Sequence, residues 1–185
     1  MNHTVPPYQL PPLEDAKRIY GMKNLEATTG IDPRELASNY IHLSLKNLKK
    51  YDLALQAGER HLKEFPHGNM RSGVDLSMKL LIAHIERIPK QQAEGRRELQ
   101  DLEKDGPPKT EQLTRIREFG RCSVASRAFV YEEADTACTL FLEKYRGKLP
   151  DEFDMHALAG FVYSMCLNER GQFEKAESLF ERALT

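Results

Sequence analysis

Apolar residues recur along this chain at helical spacing, and no stretch alternates as a strand would. Residues 1–12 hold four prolines and little periodicity, which predicts an extended, flexible, proline-rich tail. From Leu13 the pattern turns helical, with Leu13, Ala16, Ile19, Tyr20 and Leu25 near one face and Thr28, Thr29 and Gly30 ending the run. Asp32 then reads as an N-cap and Pro33 as the first helical residue. Leu36, Tyr40, Ile41, Leu43, Leu45 and Leu48 mark a helix over 34–48, joined by Lys49–Asp52 to a partner over 53–64. Phe65-Pro66-His67-Gly68 closes that partner, since proline just past a helix end is a stop signal. Val74 to Ile88 is strongly apolar on one side, and Pro89 is expected to break it from a charged helix over 90–104. Asp105-Gly106-Pro107-Pro108 stops that helix. Helices over 111–128 and 132–145 form the next pair, a loop covers 147–151, and a last pair runs over about 154–184. The pattern predicts an all-α chain of antiparallel helix pairs with short joints.

The pairs share a register. After each turn comes an aromatic, and alanine follows three residues later: Tyr51 and Ala54, Tyr131 and Ala134, Phe173 and Ala176. These alanines lie 80 and 42 residues apart, and Ala93, a weaker anchor, would divide the first interval into 39 and 41. Self-similarity at such a period is the mark of a helical solenoid. An alanine early in the second helix lets the two helices cross closely, and the aromatic plugs the end of the pair. Each pair is apolar on more than one face, so it must stack on a neighbour to bury them.

These units resemble the tetratricopeptide repeat. In the last one Gly160, Tyr163, Ser164, Leu167, Ala176, Phe180 and Ala183 fall on the repeat's signature slots. The unit from Glu35 is similar through Ile41, Leu45, Ala54, Leu62 and Pro66, though His42 and Gly58 depart from the usual residues. The unit near Arg115 offers Cys122, Ala125, Ala134 and Phe141, with Cys138 in place of an aromatic. The unit from about Val74 keeps almost none of the signature. The resemblance covers about 34–184, and the period exceeds the family's usual roughly 34 residues, so helix-pair repeats of the HEAT kind stay open. It implies antiparallel pairs stacked into a right-handed superhelix. An N-terminal helix over 13–30 would serve as cap or groove filler. A repeat domain over 31–185 would hold units at about 34–67, 72–105, 110–147 and 153–185.

In that family the first helix of each pair lines a concave wall. The resemblance places Asn39, Tyr40, Leu43, Met78, Ile82, Phe119, Arg127, Phe161, Met165 and Asn168 on it. A wall this apolar suits a binding surface, and methionine with aromatics suits a peptide helix or an extended segment. The competing expectation is that the wall is core, filled by the helix at 13–28. The family's carboxylate clamp would need lysine, arginine or asparagine where Leu43, Ile116 and Gly120 stand, so a chaperone tail is not the expected ligand.

Charge and chemistry narrow the function. Lys and Arg number 27 against 28 Asp and Glu, a net charge of −1, without the clustered basic surface that nucleic acid needs. No segment approaches the roughly 20 apolar residues of a membrane helix, and the N-terminus lacks a basic region followed by an apolar core, so no signal peptide is expected. Three widely spaced cysteines read as reduced thiols in a cytoplasmic protein. Six histidines occur without HExxH or paired CxxC, so no metal and no cofactor are expected. Cys122 opens CSVASR, one residue short of a phosphatase loop and without its glycine-rich turn. There is no phosphate loop and no serine elbow, so no catalytic residue is assigned. The expected function is a non-enzymatic adaptor or regulator that binds a protein or peptide partner on the wall. The chain stops at Thr185 directly after a full unit, so Leu179 and Leu184 are expected to be partly exposed. A homo-oligomer through that C-terminal pair is the second reading, and an enzyme is the third, with Cys122 as the residue to test.

Overall fold

The computed structural model describes residues 12–23, 25, 30–104, 106–146 and 155–184, the last two without their side chains. Its helices are α1 (Leu13–Gly21), α2 (Pro33–Asn47), α3 (Tyr51–Glu64), α4 (Arg71–Lys104), α5 (Glu111–Arg127), α6 (Tyr131–Lys144), α7 (Met155–Glu169) and α8 (Phe173–Leu184). No strand occurs among the described residues, so the chain is all-α as the periodicity predicts. The expected ends at Thr28 and Thr29 and the loop at 147–151 lie outside the described residues. The first helix is shorter than expected and stops at Gly21, after which Met22 is extended and its N–H bonds the Ile19 carbonyl.

Two compact units divide the chain, residues 1–85 and 86–185. The division falls inside α4, which corrects the expected break. Pro89 lies within this 34-residue helix, not at a boundary. Proline removes one backbone bond and crowds the preceding turn, but packing on both sides holds the helix through it. Val74, Met78 and Leu81 are buried in the first unit. Gln92 bonds the Phe129 carbonyl at 2.8 Å and Leu99 packs against the core of the second unit. The expected unit at 72–105 is therefore, over its described residues to Lys104, one long helix instead of a helix pair.

In the first unit Asp32 caps α2 as expected, its carboxylate accepting the Arg34 N–H at 2.8 Å. Helix α1 packs on α2, and α2 on α3. Ala16, Ile41, Leu45, Ala54, Ala57 and Leu81 share one core cluster. Helix α3 approaches α4 at Gly58, where an added Cβ would meet the Met78 side chain. Buried Glu35 of α2 accepts the Met70 N–H at 2.7 Å and so anchors the start of α4.

In the second unit α5 packs with α6, α7 lies against both of them, and α8 packs on α7. Thr110 caps α5, its hydroxyl accepting the Leu113 N–H at 3.2 Å.

The predicted register shows directly in the backbone. Lys49, Phe129 and Gly171 each take positive φ, 59°, 56° and 74°. The next amide in each turn reaches back five residues: Lys50 to Leu45, Val130 to Ala125 and Gln172 to Leu167, all at 2.9 Å. This left-handed C-terminal turn satisfies carbonyls that the helix end would leave bare. Two residues after each of these three come Tyr51, Tyr131 and Phe173, and then the anchor alanines. Ala54 and Ala134 are fully buried and Ala176 nearly so.

Candidate functional site

The ten wall residues divide between the units, and their burial separates them. In the first unit Met78 is buried, Asn39, Tyr40 and Leu43 are half-buried, and Ile82 is exposed. Tyr40 packs against the same core cluster as Leu13 and Tyr20 of α1. This helix surface is therefore largely internal. In the second unit Phe119 turns inward, with its ring centroid 5.8 Å from that of buried Phe141. Its position in the core cluster of Cys122, Cys138 and Phe141 takes it out of an exposed wall.

The remaining residues stay at the surface. Arg127 is exposed at the end of α5, its Nε donating to the Ser123 carbonyl at 3.3 Å. Phe161, Met165 and Asn168 stand at i, i+4 and i+7 on α7, which puts them on one stripe. Phe161 is 42% exposed and Met165 54%, large values for such side chains in the middle of a packed helix. The Phe161 ring lies 5.9 Å from that of Phe180, so the apolar patch continues onto α8. Leu179 is half-buried, and the Leu184 side chain lies outside the described residues.

A second surface in this unit escaped the sequence reading, which looked only at the first helix of each pair. A groove of about 760 Å³ runs between α4 and α6 over α5. Leu99, Ala137, Leu140 and Phe141 supply its apolar lining, and Leu140 is 61% exposed. The signal was present: Leu140 is an apolar residue on α6 outside the inward stripe of Ala134, Cys138 and Phe141.

Several cysteines, histidines and tyrosines of the two units are buried or half-buried in the helix packing. Cys122 and Cys138 are joined in a disulfide across the α5/α6 crossing, with Cα atoms 4.6 Å apart. This corrects the expectation of three reduced thiols, and both sulfurs are fully buried within one helix pair. Disulfides persist in oxidising compartments, so the cysteines no longer argue for a cytoplasmic setting. The third thiol, Cys166, is buried, and its pKa is pushed up to about 12, first by burial and then by the nearby Asp135 charge. A thiol held protonated at neutral pH is a poor nucleophile. Tyr163 donates to Asp135 at 2.9 Å, and burial with that bond raises its pKa to about 12.

In the first unit His42 and His61 are fully buried, and burial lowers the pKa of each. His42 is satisfied. Its Nδ1–H donates to the Ala54 carbonyl at 2.8 Å and its Nε2 accepts from the Ser77 hydroxyl at 3.0 Å. His61 has no hydrogen-bond partner on either ring nitrogen, and the Glu35 carboxylate stands 4.0 Å from Nε2. Among the described residues no group of three His, Cys, Asp or Glu is placed to hold a metal, and no helix is long and apolar enough to cross a membrane.

Comparison with protein-family models, curated proteins and solved structures gives no match for this chain.

Proposed function

We propose that this chain is a non-enzymatic interaction module of the tetratricopeptide kind, with helix pairs stacked in the right-handed sense of that family. It holds a peptide or protein segment, as an adaptor or regulator. Three observations support the repeat: the shared left-handed turn, the buried alanine five residues after it, and α7 lying on both helices of the preceding pair.

The observation that carries the function is the α7 stripe. Signature residues on the other faces of α7 are buried, including Ser164 and Leu167. Phe161 and Met165 are left in water instead. Burying a side chain of that size is worth roughly 1.5–3 kcal/mol, so an exposed pair flanked by Asn168 is a surface suited to a partner's apolar residues. Asn168 and Arg127 supply directional contacts around it.

The test is capture from an extract of the source cells with the wild-type chain and a Phe161→Glu/Met165→Glu variant side by side. Proteins retained by the wild type and lost by the variant support the reading. An identical retained set contradicts it.

A second reading has its own observation. Because Phe180 of α8 packs against Phe161 with its ring tilted, the same patch suits self-association through the C-terminal pair. Sedimentation at high concentration separates the two readings. A wild-type dimer that Phe180→Glu dissociates favours assembly, and a strict monomer excludes it.

A further inference from the structure

The α4/α6 groove is a separate surface from the α7 stripe and belongs wholly to the second unit. Its form and its charges restrict what it can hold. Helices α4 and α6 are its walls and α5 its floor, with Glu132 and Lys144 at the two ends of the α6 wall. That wall is ~18 Å long, three helical turns. The fold already seats a helix in this manner, because α7 rests against both α5 and α6. The groove has leucine and alanine side chains in its accessible lining.

The charges differ between its ends. At the far end they are closed within the protein: Arg121 pairs with Glu103 at 3.3 Å and Lys144 with Glu118 at 2.7 Å. At the near end Gly95 of α4 lies against Ala128, which brings the start of α6 level with Arg96. Here two exposed carboxylates, Glu132 and Glu133, outnumber the single Arg96 guanidinium. An occupant therefore meets an apolar trough with an acidic end.

We propose that this groove docks an amphipathic helix of a protein partner, with its apolar stripe on Leu99, Ala137 and Leu140 and basic residues at the end beside Glu132 and Glu133. A helix fits because the α6 lining runs for about three turns, and because that lining can receive residues spaced three and four apart. The basic end follows from the two carboxylates that the far end's ion pairs do not reach.

The test uses the full chain and three labelled synthetic peptides of about 15 residues, read by fluorescence anisotropy. All carry leucines at helical spacing. One ends in a lysine pair, one has glutamates in place of those lysines, and the third is the lysine peptide with a central proline. The lysine peptide should bind saturably and about tenfold tighter than the glutamate peptide, and the proline peptide should not bind. Leu140→Glu should abolish binding while leaving helicity and melting unchanged, since that side chain is exposed. Glu132→Gln/Glu133→Gln leaves Arg96 alone at that end and should reverse the preference between lysine and glutamate peptides.

The proposal is overturned if the lysine peptide does not saturate, if the proline peptide binds equally, or if Leu140→Glu changes nothing. It is also overturned if the wild-type chain dimerises and Leu140→Glu dissociates it, because the occupant is then a second copy. Loss of binding in Phe161→Glu but not in Leu140→Glu would move the site to the α7 stripe and leave the groove without a role.

Discussion

The pairs α2/α3 and α5/α6 stand 80 residues apart in register and share one turn, yet they are joined by different chemistry. At the crossing of the second pair Cys122 is bonded to Cys138. The same register puts His42 opposite Gly58 in the first pair, where an added Cβ would stand 3.1 Å from the imidazole Nδ1. One turn further along, His61 occupies the place of Phe141. The next ring matches too: His61 lies 5.3 Å from Phe65, and Phe141 lies 4.9 Å from Tyr145. The left-handed turn and the buried alanine set the approach of the two helices. What fills the crossing can then vary, provided the volumes are complementary: a ring against a hydrogen, or two sulfurs. Polarity is the harder constraint. His42 meets it with two hydrogen bonds, and His61 does not meet it.

The largest way to break the symmetry is to cut the disulfide. Cys122→Ser/Cys138→Ser, or reduction, should destabilise the second unit by about 3 kcal/mol, the expectation for a closed loop of this size. Chemical denaturation followed by a probe on α5 or α6 measures it, and a midpoint indifferent to reductant would show that the bond adds nothing to the packing.

Next comes His61→Phe, which gives the first pair the residue that the second already has. A buried polar group without a partner costs about 1–3 kcal/mol, so this variant should gain roughly that much at neutral pH. A loss would mean that the imidazole is satisfied in solution.

The same residue governs acid behaviour. Burial holds both imidazoles below their ordinary value of about 6.5. Below that pH the unfolded chain takes up protons that the folded chain resists. Stability is therefore complete above about pH 6.5 and falls as the pH drops below it. Cys122 and Phe141 hold the corresponding places in the second unit and do not titrate there. Hydrogen exchange at pH 7 and pH 5 should show the α2/α3 amides losing protection before those of α5/α6, with His61→Phe reducing the difference. Equal loss in both pairs would contradict this account.

The smallest effect belongs to the turn. Lys49 adopts φ 59°, a conformation that costs an ordinary residue roughly 1–2 kcal/mol and glycine far less. Lys49→Gly should stabilise the first pair by about 1 kcal/mol. Phe129→Gly should gain nothing, because Phe129 also packs beside Tyr131 in the core of the second unit. The comparison is sharpened if the melting temperature rises for Lys49→Gly and does not rise for Phe129→Gly.

Much of the fold could be read from residue order alone. Asp32-Pro33 marked a real cap, and the aromatic–alanine spacing marked three real turns, because both are local devices. Pro89 does not break its helix, because the longer pattern outweighs the local rule. Val74, Met78, Leu81 and Ile85, then Gln92, Gly95 and Leu99, keep one helical stripe across the proline, and that continuity prevails. Of the residues read from the repeat's first helices, Phe161, Met165 and Asn168 are at the surface, while Met78 and Phe119 are turned inward by neighbours whose placement no spacing reveals. The disulfide was hidden for the same reason: Cys122 and Cys138 come together only when two helices cross at a given level.

That crossing offers the most direct measurement. If α2/α3 and α5/α6 are one repeat with interchangeable centres, the disulfide can be moved. His42→Cys/Gly58→Cys, combined with Met78→Ala to clear the Cβ added at position 58, then oxidised and mapped by non-reducing peptide mass spectrometry, should yield a peptide pair linked through positions 42 and 58, each having lost its thiol hydrogen. Free thiols at 42 and 58 in a folded, oxidised protein would show that the two crossings differ, and the shared register would then be confined to the turns.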